Sequence, residues 1–115
     1  MTLCTINHLE KVENGVKYEK DEFTLGKHYK VERYISRYED GDVRKRICVH
    51  LSLKDERDNY IPKIYYEDDF FGTSKPRFEI QTTAYGSMNP EEIKKVIAGY
   101  QEAIEAVEIL TKNFC

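Results

Sequence analysis

The last quarter of the chain carries the most complete structural signal in the sequence, and it predicts one long helix over roughly residues 89–113. Asn89 suits the N-cap position, because its side chain can accept a hydrogen bond from a free amide of the first turn. Pro90 fits the first helical position, where its missing N–H is not needed, and Glu92 lies where a capping-box carboxylate reaches back to the cap.

The predicted helix is amphipathic, and its large apolar residues recur at the three- and four-residue spacing that places side chains on one face. We therefore predict a buried face made of Ile93, Val96, Ile97, Tyr100, Ile104, Val107 and Phe114. The opposite face is charged and is predicted to face water; it carries Lys94, Glu102, Glu105, Glu108 and Lys112.

A flank of mostly small residues runs beside this stripe and widens the apolar arc to about half the helix circumference. The flank consists of Gly99, Ala103, Ala106 and Leu110. Because Gly in a helix interior costs up to about 1 kcal/mol relative to Ala, Gly99 predicts that another backbone approaches closely there. Two interpretations stay open: the N-terminal segment of the same chain covers the flank, or the flank meets its own copy in a two-fold homodimer.

Two turn signals organise the first half of the chain. Asn14-Gly15 is the preferred pair for a two-residue hairpin turn and predicts a small N-terminal hairpin, with a loop as the alternative. The charged run at residues 19–22 is interpreted as a solvated connector. Further on, Glu39-Asp40-Gly41 predicts a three-residue hairpin loop in which Gly41 takes the left-handed conformation.

This three-residue loop sets the pairing of its two strands, because facing residues of an antiparallel pair lie on the same side of the sheet. A two-residue Asp-Gly loop would mix apolar and polar residues on each face. The three-residue loop instead places Tyr29 opposite Leu51, Val31 opposite Val49 and Arg33 opposite Ile47.

Two more extended segments precede the helix. Residues 60–66 alternate, but Pro62 cannot donate to a ladder, which predicts an edge strand or an irregular start. Residues 77–85 alternate most regularly and predict a strand. Between these segments, the adjacent Phe70 and Phe71 either pack beneath their own loop or anchor a partner protein.

The order of these elements predicts an α+β fold in a single domain, residues 1–115. A mainly antiparallel sheet of about four to six strands occupies roughly residues 3–85. One long C-terminal helix packs on one face of that sheet.

The predicted register places basic and aromatic residues on the polar side of the sheet, against few acids. The cations are Lys30, Arg44, Arg46, His50, Lys54 and Arg77, the acids are Glu32 and Glu79, and the aromatic residues are Tyr34, Tyr38 and Tyr85. Such a surface suits a nucleotide or single-stranded nucleic acid, because rings stack on bases and cations pair with phosphates. The alternatives are an ordinary wet sheet face, or a face covered by the N-terminal segment or a second subunit.

Cys48 and His50, with Glu32 as an orienting carboxylate, are the strongest enzymatic candidates in the sequence. Residues two apart on a strand sit about 7 Å apart at the backbone, which is long for a direct thiol–imidazole bond.

The acidic run at residues 67–69 lacks the glycine and the late bidentate acid of a calcium loop. We therefore expect no metal ion and no cofactor.

Composition bounds the remaining possibilities. The formal net charge of −3 argues against general affinity for nucleic acid or anionic membranes. Three widely spaced cysteines, Cys4, Cys48 and Cys115, are predicted to be reduced thiols. Neither a leader peptide nor a membrane-spanning segment is predicted, so a cytoplasmic location is expected.

The sequence favours a small non-enzymatic binding protein that forms a homo-oligomer or acts on a larger protein partner. Its composition also fits accessory or inhibitor proteins carried by mobile elements. A nucleotide- or nucleic-acid-binding sheet face and a small enzyme using Cys48 and His50 are the alternatives. No motif in the chain identifies a family.

Overall fold

The computed structural model describes residues 1–52, 60–68 and 75–115 and shows the predicted α+β arrangement. Four strands form one antiparallel sheet in the order β1-β2-β3-β4: Leu3–Glu13, Val16–Leu25, Tyr29–Arg37 and Val43–Leu51. Two short strands, Ile64–Glu67 (β5) and Arg77–Ile80 (β6), form a second antiparallel sheet, and one helix, α1, spans Pro90–Phe114. No helix among the described residues is both long and apolar enough to cross a membrane.

Both predicted hairpin turns are present with the expected backbone conformation. Asn14 and Gly15 have φ values of 52° and 77°, which is the geometry that a two-residue turn requires. Gly41 has a φ of 89°, and the Tyr38 amide donates to the Asp42 carbonyl at 2.9 Å to close the second turn. The register of β3 and β4 is confirmed, with Tyr29 facing Leu51, Val31 facing Val49 and Arg33 facing Ile47.

The N-terminal hairpin is far longer than predicted, and the charged run at residues 19–22 is part of β2 rather than a connector. The prediction was wrong because these charges are satisfied within the sheet rather than by water alone. Asp21 pairs with Arg33, and Lys20 pairs with both Glu22 and Glu32.

The predicted strands nearer the helix are shorter than expected. In the segment predicted as residues 60–66, the strand begins only at Ile64, after Pro62, whose carbonyl accepts a hydrogen bond of 2.7 Å from the buried Tyr29 hydroxyl. In the segment predicted as residues 77–85, the strand ends at Ile80. One more backbone hydrogen bond, from the Gln81 amide to the Lys63 carbonyl at 2.9 Å, follows the last pair of the ladder. Pro62, the next residue of the partner segment, has no N–H with which to continue it.

The core lies between α1 and one face of the four-stranded sheet. β5 contacts β4 and β6 contacts the helix, so the small sheet extends the same core. Its buried apolar residues are Phe23, Leu25, Tyr29, Val31, Ile47, Ile64, Phe78, Ala103, Ala106, Leu110 and Phe114.

The predicted start of the helix is confirmed in detail. The Asn89 side chain accepts from the Glu92 amide at 2.9 Å, and the Glu92 carboxylate accepts from the Asn89 amide at 3.4 Å. These two bonds form a capping box, and Pro90 occupies the first turn as expected.

The buried face of α1 is centred on the small-residue flank and not on the predicted stripe of large residues. The small-residue flank of Gly99, Ala103, Ala106 and Leu110 is buried, together with Phe114. Ile93, Ile97 and Ile104 were predicted to be buried but are 45%, 52% and 51% exposed. Val96, Tyr100 and Val107 lie between the two faces and are half-buried.

Close backbone approach explains this orientation. A Cβ atom on Gly99 would lie 2.9 Å from the carbonyl carbon of Tyr60, and its carbonyl oxygen is closer still. The prediction that another backbone approaches Gly99 is therefore confirmed. The covering groups belong to the same chain: the segment at Tyr60 lies against Gly99, and the sheet packs against the rest of the flank. The N-terminal segment contributes through Leu3 of β1, which packs against this core.

Candidate functional site

The polar face of the four-stranded sheet, on the side away from α1, carries most of the predicted ligand-binding residues. Tyr34 faces Arg46 across β3 and β4, and Lys30 faces His50 in the same register. Arg44 lies on the same side of β4, two residues before Arg46. The register thus brings Tyr34, Arg44, Arg46 and His50 together as the sequence predicted.

Glu32 sits at the centre of this face and contacts groups on three strands. It accepts a hydrogen bond from the Tyr34 hydroxyl and lies 3.3 Å from the Lys20 ammonium and 3.1 Å from His50 Nε2. The Tyr34 hydrogen bond, and then the Lys20 ammonium, lower the pKa of Glu32. The pKa of Lys20 is raised by hydrogen bonds to Glu22 and Glu32. Lys20 and His50 are therefore already partnered on this face.

The tyrosine rings of this face are covered by arginine side chains. The Arg46 guanidinium lies 4.8 Å from the centre of the Tyr34 ring, and the Arg44 guanidinium lies 5.3 Å from that of Tyr38. Arg44 also contacts the Asp42 carboxylate at 3.4 Å. These contacts stabilise the sheet and occupy one side of each ring, which a stacked base would otherwise use.

Three residues assigned to this face by the sequence, Arg77, Glu79 and Tyr85, lie elsewhere. Arg77 is on β6 of the second sheet, where it pairs with Glu79 at 2.6 Å. Tyr85 follows that strand and packs edge-on against Tyr60 with ring centres 5.6 Å apart. They were misplaced because alternation shows which side of a strand a residue takes but not which sheet the strand joins. Lys54 lies outside the described residues.

A cleft at the edge of β4 joins the polar face to the small sheet and has a volume of about 410 Å³. It is lined by Tyr34, Ser36, Arg44, Lys45, Arg46, Tyr66 and Asp68. Lys45 reaches across from the helix side of the strand and donates to the Phe114 carbonyl at 2.8 Å. Burial, and then the Asp68 carboxylate, raise the pKa of Tyr66 to about 12. Three cations and one carboxylate thus line the cleft.

The Cys48, His50 and Glu32 group has only one of the contacts that nucleophilic catalysis requires. His50 contacts Glu32, and Cys48 faces Glu32 across the strands. Among the hydrogen bonds of the described residues, none joins Cys48 to His50. All three cysteines are free thiols, as predicted.

The predicted dimer flank is not available to a partner. Ala103, Ala106 and Leu110 are 0% exposed, and Gly99 is buried against Tyr60. Of the two interpretations of this flank, the structure favours cover by the same chain, and the interpretation in which a second copy covers it is corrected. The other predicted anchors, Phe70 and Phe71, lie outside the described residues.

The exposed apolar residues of α1 form a stripe on another side of the helix. Ile93, Ile97 and Ile104 follow one another at spacings of four and seven residues, which places them on one line along the helix. Tyr100 borders the stripe, and its hydroxyl accepts a hydrogen bond of 3.1 Å from the Thr83 amide. We refer to Ile93, Ile97 and Ile104 as the isoleucine stripe.

A charged cluster that the sequence analysis missed lies on the helix side of the sheet, just beyond the end of α1. Asp21 is 8% exposed, and Arg33 Nη2 donates to it at 2.8 Å. The Arg33 guanidinium also lies 5.5 Å from the rings of Phe23 and Phe114, where the apolar core ends. His8 contacts both Asp21 and Glu10 through its two ring nitrogens.

The pKa values of this cluster follow from these contacts. Hydrogen bonds to Glu10 and then to Asp21 raise the pKa of His8. Burial raises the pKa of Asp21, but hydrogen bonds from His8 and Arg33 oppose it, and the net change is a decrease. The sequence held the signal for this cluster, because a ladder extended back from the Asn14-Gly15 turn pairs Glu10 with Glu19 and His8 with Asp21.

Comparison with protein families, with curated proteins and with solved structures found no match for this chain.

Proposed function

We propose that the chain is a small, non-enzymatic protein-binding protein that acts as a homodimer, with the isoleucine stripes of two α1 helices packed against each other. The main support is that three large aliphatic side chains are aligned on one helix and are each about half exposed. Burying such side chains is the main favourable contribution to protein association. A two-fold contact uses each stripe residue twice, so a narrow stripe supplies six isoleucines.

The charges beside the stripe favour an antiparallel arrangement of the two helices. Lys94, in the first half of α1, and Glu105, in the second half, lie on the same flank of the stripe, by helical geometry. Both side chains are exposed, at 73% and 54%, although each has a contact within its own chain. Lys94 lies 3.3 Å from Glu91, and Glu105 lies 3.4 Å from the N-terminal ammonium. When two copies of α1 run antiparallel, each Lys94 falls beside Glu105 of the partner subunit, while Ile93 and Ile97 fall near the partner's Ile104. In a parallel two-fold pair the two flanks would lie on opposite sides of the contact, so neither Lys94 nor Glu105 would meet the partner's flank.

A charge exchange tests this arrangement. Lys94→Glu places two acids together at each end of the antiparallel pair and is expected to weaken dimerisation. Adding Glu105→Lys to the same chain restores opposite charges and is expected to restore the dimer. The measurement is the dimer fraction by sedimentation velocity at low salt, where exposed charge pairs are least screened. A double variant that stays as weak as Lys94→Glu would rule out the antiparallel pairing.

A second candidate function, binding of a nucleotide or single-stranded nucleic acid, is favoured by the cleft at the edge of β4. Its volume and its three cations suit a nucleotide phosphate beside a tyrosine-lined wall. A co-purifying nucleotide would raise the ratio of absorbance at 260 nm to that at 280 nm. Binding of a labelled oligonucleotide at low salt is expected to disappear in Arg44→Glu with Arg46→Glu. A native protein that binds neither a nucleotide nor an oligonucleotide would exclude this function.

The proposal includes a single domain, residues 1–115, working in the cytoplasm, where the three free thiols would stay reduced. We propose that this small dimer acts on a larger protein partner, as an accessory or inhibitor protein. The composition of the chain also fits the accessory or inhibitor proteins that mobile elements carry.

A further inference from the structure

The charged cluster beyond the end of α1 gathers metal-binding groups from two neighbouring strands. His8 and Glu10 lie two residues apart on β1, and Glu19 faces Glu10 from β2. His8 Nε2 is 2.9 Å from Glu10 Oε1. One ligand atom from each of the three side chains lies within 4.8 Å of the other two. The three groups therefore converge on one point above the helix side of the sheet.

A separate contact fixes the orientation of the imidazole. His8 Nδ1 lies 2.5 Å from a carboxylate oxygen of Asp21, and Asp21 is in turn held by Arg33 on β3. Asp21 is more than nine-tenths buried, so it is a rigid support rather than a mobile surface acid. A carboxylate on one ring nitrogen, with the other nitrogen turned toward further ligands, is the usual arrangement around a metal-binding histidine.

We propose that His8 Nε2 and the carboxylates of Glu10 and Glu19 bind a divalent transition-metal ion of the Zn²⁺ type. An imidazole nitrogen with two carboxylate oxygens matches the ligands of Zn²⁺, whereas Mg²⁺ and Ca²⁺ prefer sites made only of oxygen. Tetrahedral coordination needs ligand atoms about 3.4 Å apart. A small rotation of Glu10, whose side chain is about half exposed, would bring its carboxylate to this separation while Asp21 keeps the imidazole in place. Water would complete the coordination.

In the structure, a lysine ammonium lies beside the two carboxylates that would bind the metal ion. The Lys17 ammonium lies 3.7 Å from Glu10 Oε1 and 3.7 Å from Glu19 Oε1. Arg37 Nε binds the other oxygen of Glu19, at 2.9 Å, and leaves Oε1 free of this bond. A metal ion would displace the ammonium of Lys17 and keep the Arg37 pair intact. Lys17 is therefore a competitor for the site, and its removal is expected to strengthen metal binding.

The test is a titration with Zn²⁺ by isothermal calorimetry on the full chain, with the melting temperature followed in parallel. The native protein is expected to bind one Zn²⁺ and to melt at a higher temperature in its presence. His8→Ala is expected to lose at least about tenfold in affinity and to lose the thermal shift. Lys17→Met is expected to bind more tightly than the native protein.

The matched control is His50→Ala, which removes a histidine that also contacts a glutamate, on the other face of the sheet. It is expected to bind Zn²⁺ as the native protein does. Equal affinity in His8→Ala and the native protein would overturn the proposal, and so would an equal loss in both histidine variants. Weaker binding by Lys17→Met would overturn the role given to Lys17. None of these results depends on the oligomeric state, so they are independent of the proposed dimer.

Discussion

The two apolar faces of α1 differ in the size of their side chains and in what covers them. Gly99, Ala103 and Ala106 lie where the helix meets the rest of its own chain, whereas Ile93 and Ile97 lie where nothing described in the structure covers them. Small side chains allow a backbone to approach within contact distance, and large ones hold it away. In this helix, side-chain size therefore indicates the distance to the neighbouring backbone rather than the degree of burial.

The largest expected effect is that of a charge on the small-residue face. Ala106→Glu places a carboxylate at a position that is 0% exposed and has no room for it. We expect a loss of more than about 3 kcal/mol in the free energy of unfolding, which is enough to unfold many domains. Urea denaturation measures this, and Ala98→Glu on the exposed side of the same helix is the matched control. A folded Ala106→Glu monomer would mean that this face meets a second copy after all.

Gly99→Ala tests the same face with the smallest possible change. The new Cβ would collide with the Tyr60 backbone, so the segment must shift, although Ala gains about 1 kcal/mol in helix propensity. We expect a net loss of about 1–3 kcal/mol by urea denaturation. Gly86→Ala is the control, because a Cβ there meets no atom within 4 Å. A Gly99→Ala protein more stable than the native one would contradict the close approach.

Gly41→Val provides a reference outside both helix faces, at the turn that sets the register of β3 and β4. A Cβ at Gly41 meets no neighbouring atom, so any cost arises from its φ of 89° alone. A β-branched residue resists this conformation, and we expect a loss of about 1–2 kcal/mol in thermal or urea unfolding. Gly41→Asn should cost less, because Asn tolerates positive φ. Equal stability of the Val variant and the native protein would mean that the turn does not set the register of β3 and β4.

Local signals in the sequence were sufficient to predict the turns, the capping box and the pairing of β3 with β4. Each depends on residues close together, such as Asn14-Gly15 or Asn89 and Glu92. The orientation of α1 was not predictable from its periodicity, because an arc of half the circumference contains two candidate core faces. The choice depends on contacts with Tyr60 and the sheet, which are distant in the sequence.

The candidate sites also divide into features that depend on neighbouring residues and features that depend on contacts distant in the sequence. The shared face of Tyr34, Arg46 and His50 followed from one register, whereas the separation of Arg77 and Tyr85 required knowledge of which strands pair. The cluster around His8 was missed because the acids at positions 19 and 21 were interpreted as solvated. Their partners, Arg37 and Arg33, lie on β3 and become visible only when β2 and β3 are aligned.

The central claim, that the isoleucine stripe joins two copies of the chain, is tested most directly by sedimentation equilibrium of the native protein and of Ile97→Glu. The substitution is at an exposed position, so it should change the free energy of unfolding by no more than about 0.5 kcal/mol. Val43→Glu is the matched control, because Val43 is 51% exposed and lies on β4, away from the helix. We predict a native dimer in the micromolar range, a folded monomer for Ile97→Glu and a dimer for Val43→Glu. A native protein that stays monomeric up to millimolar concentration, or an Ile97→Glu protein that dimerises as the native one does, would contradict the claim.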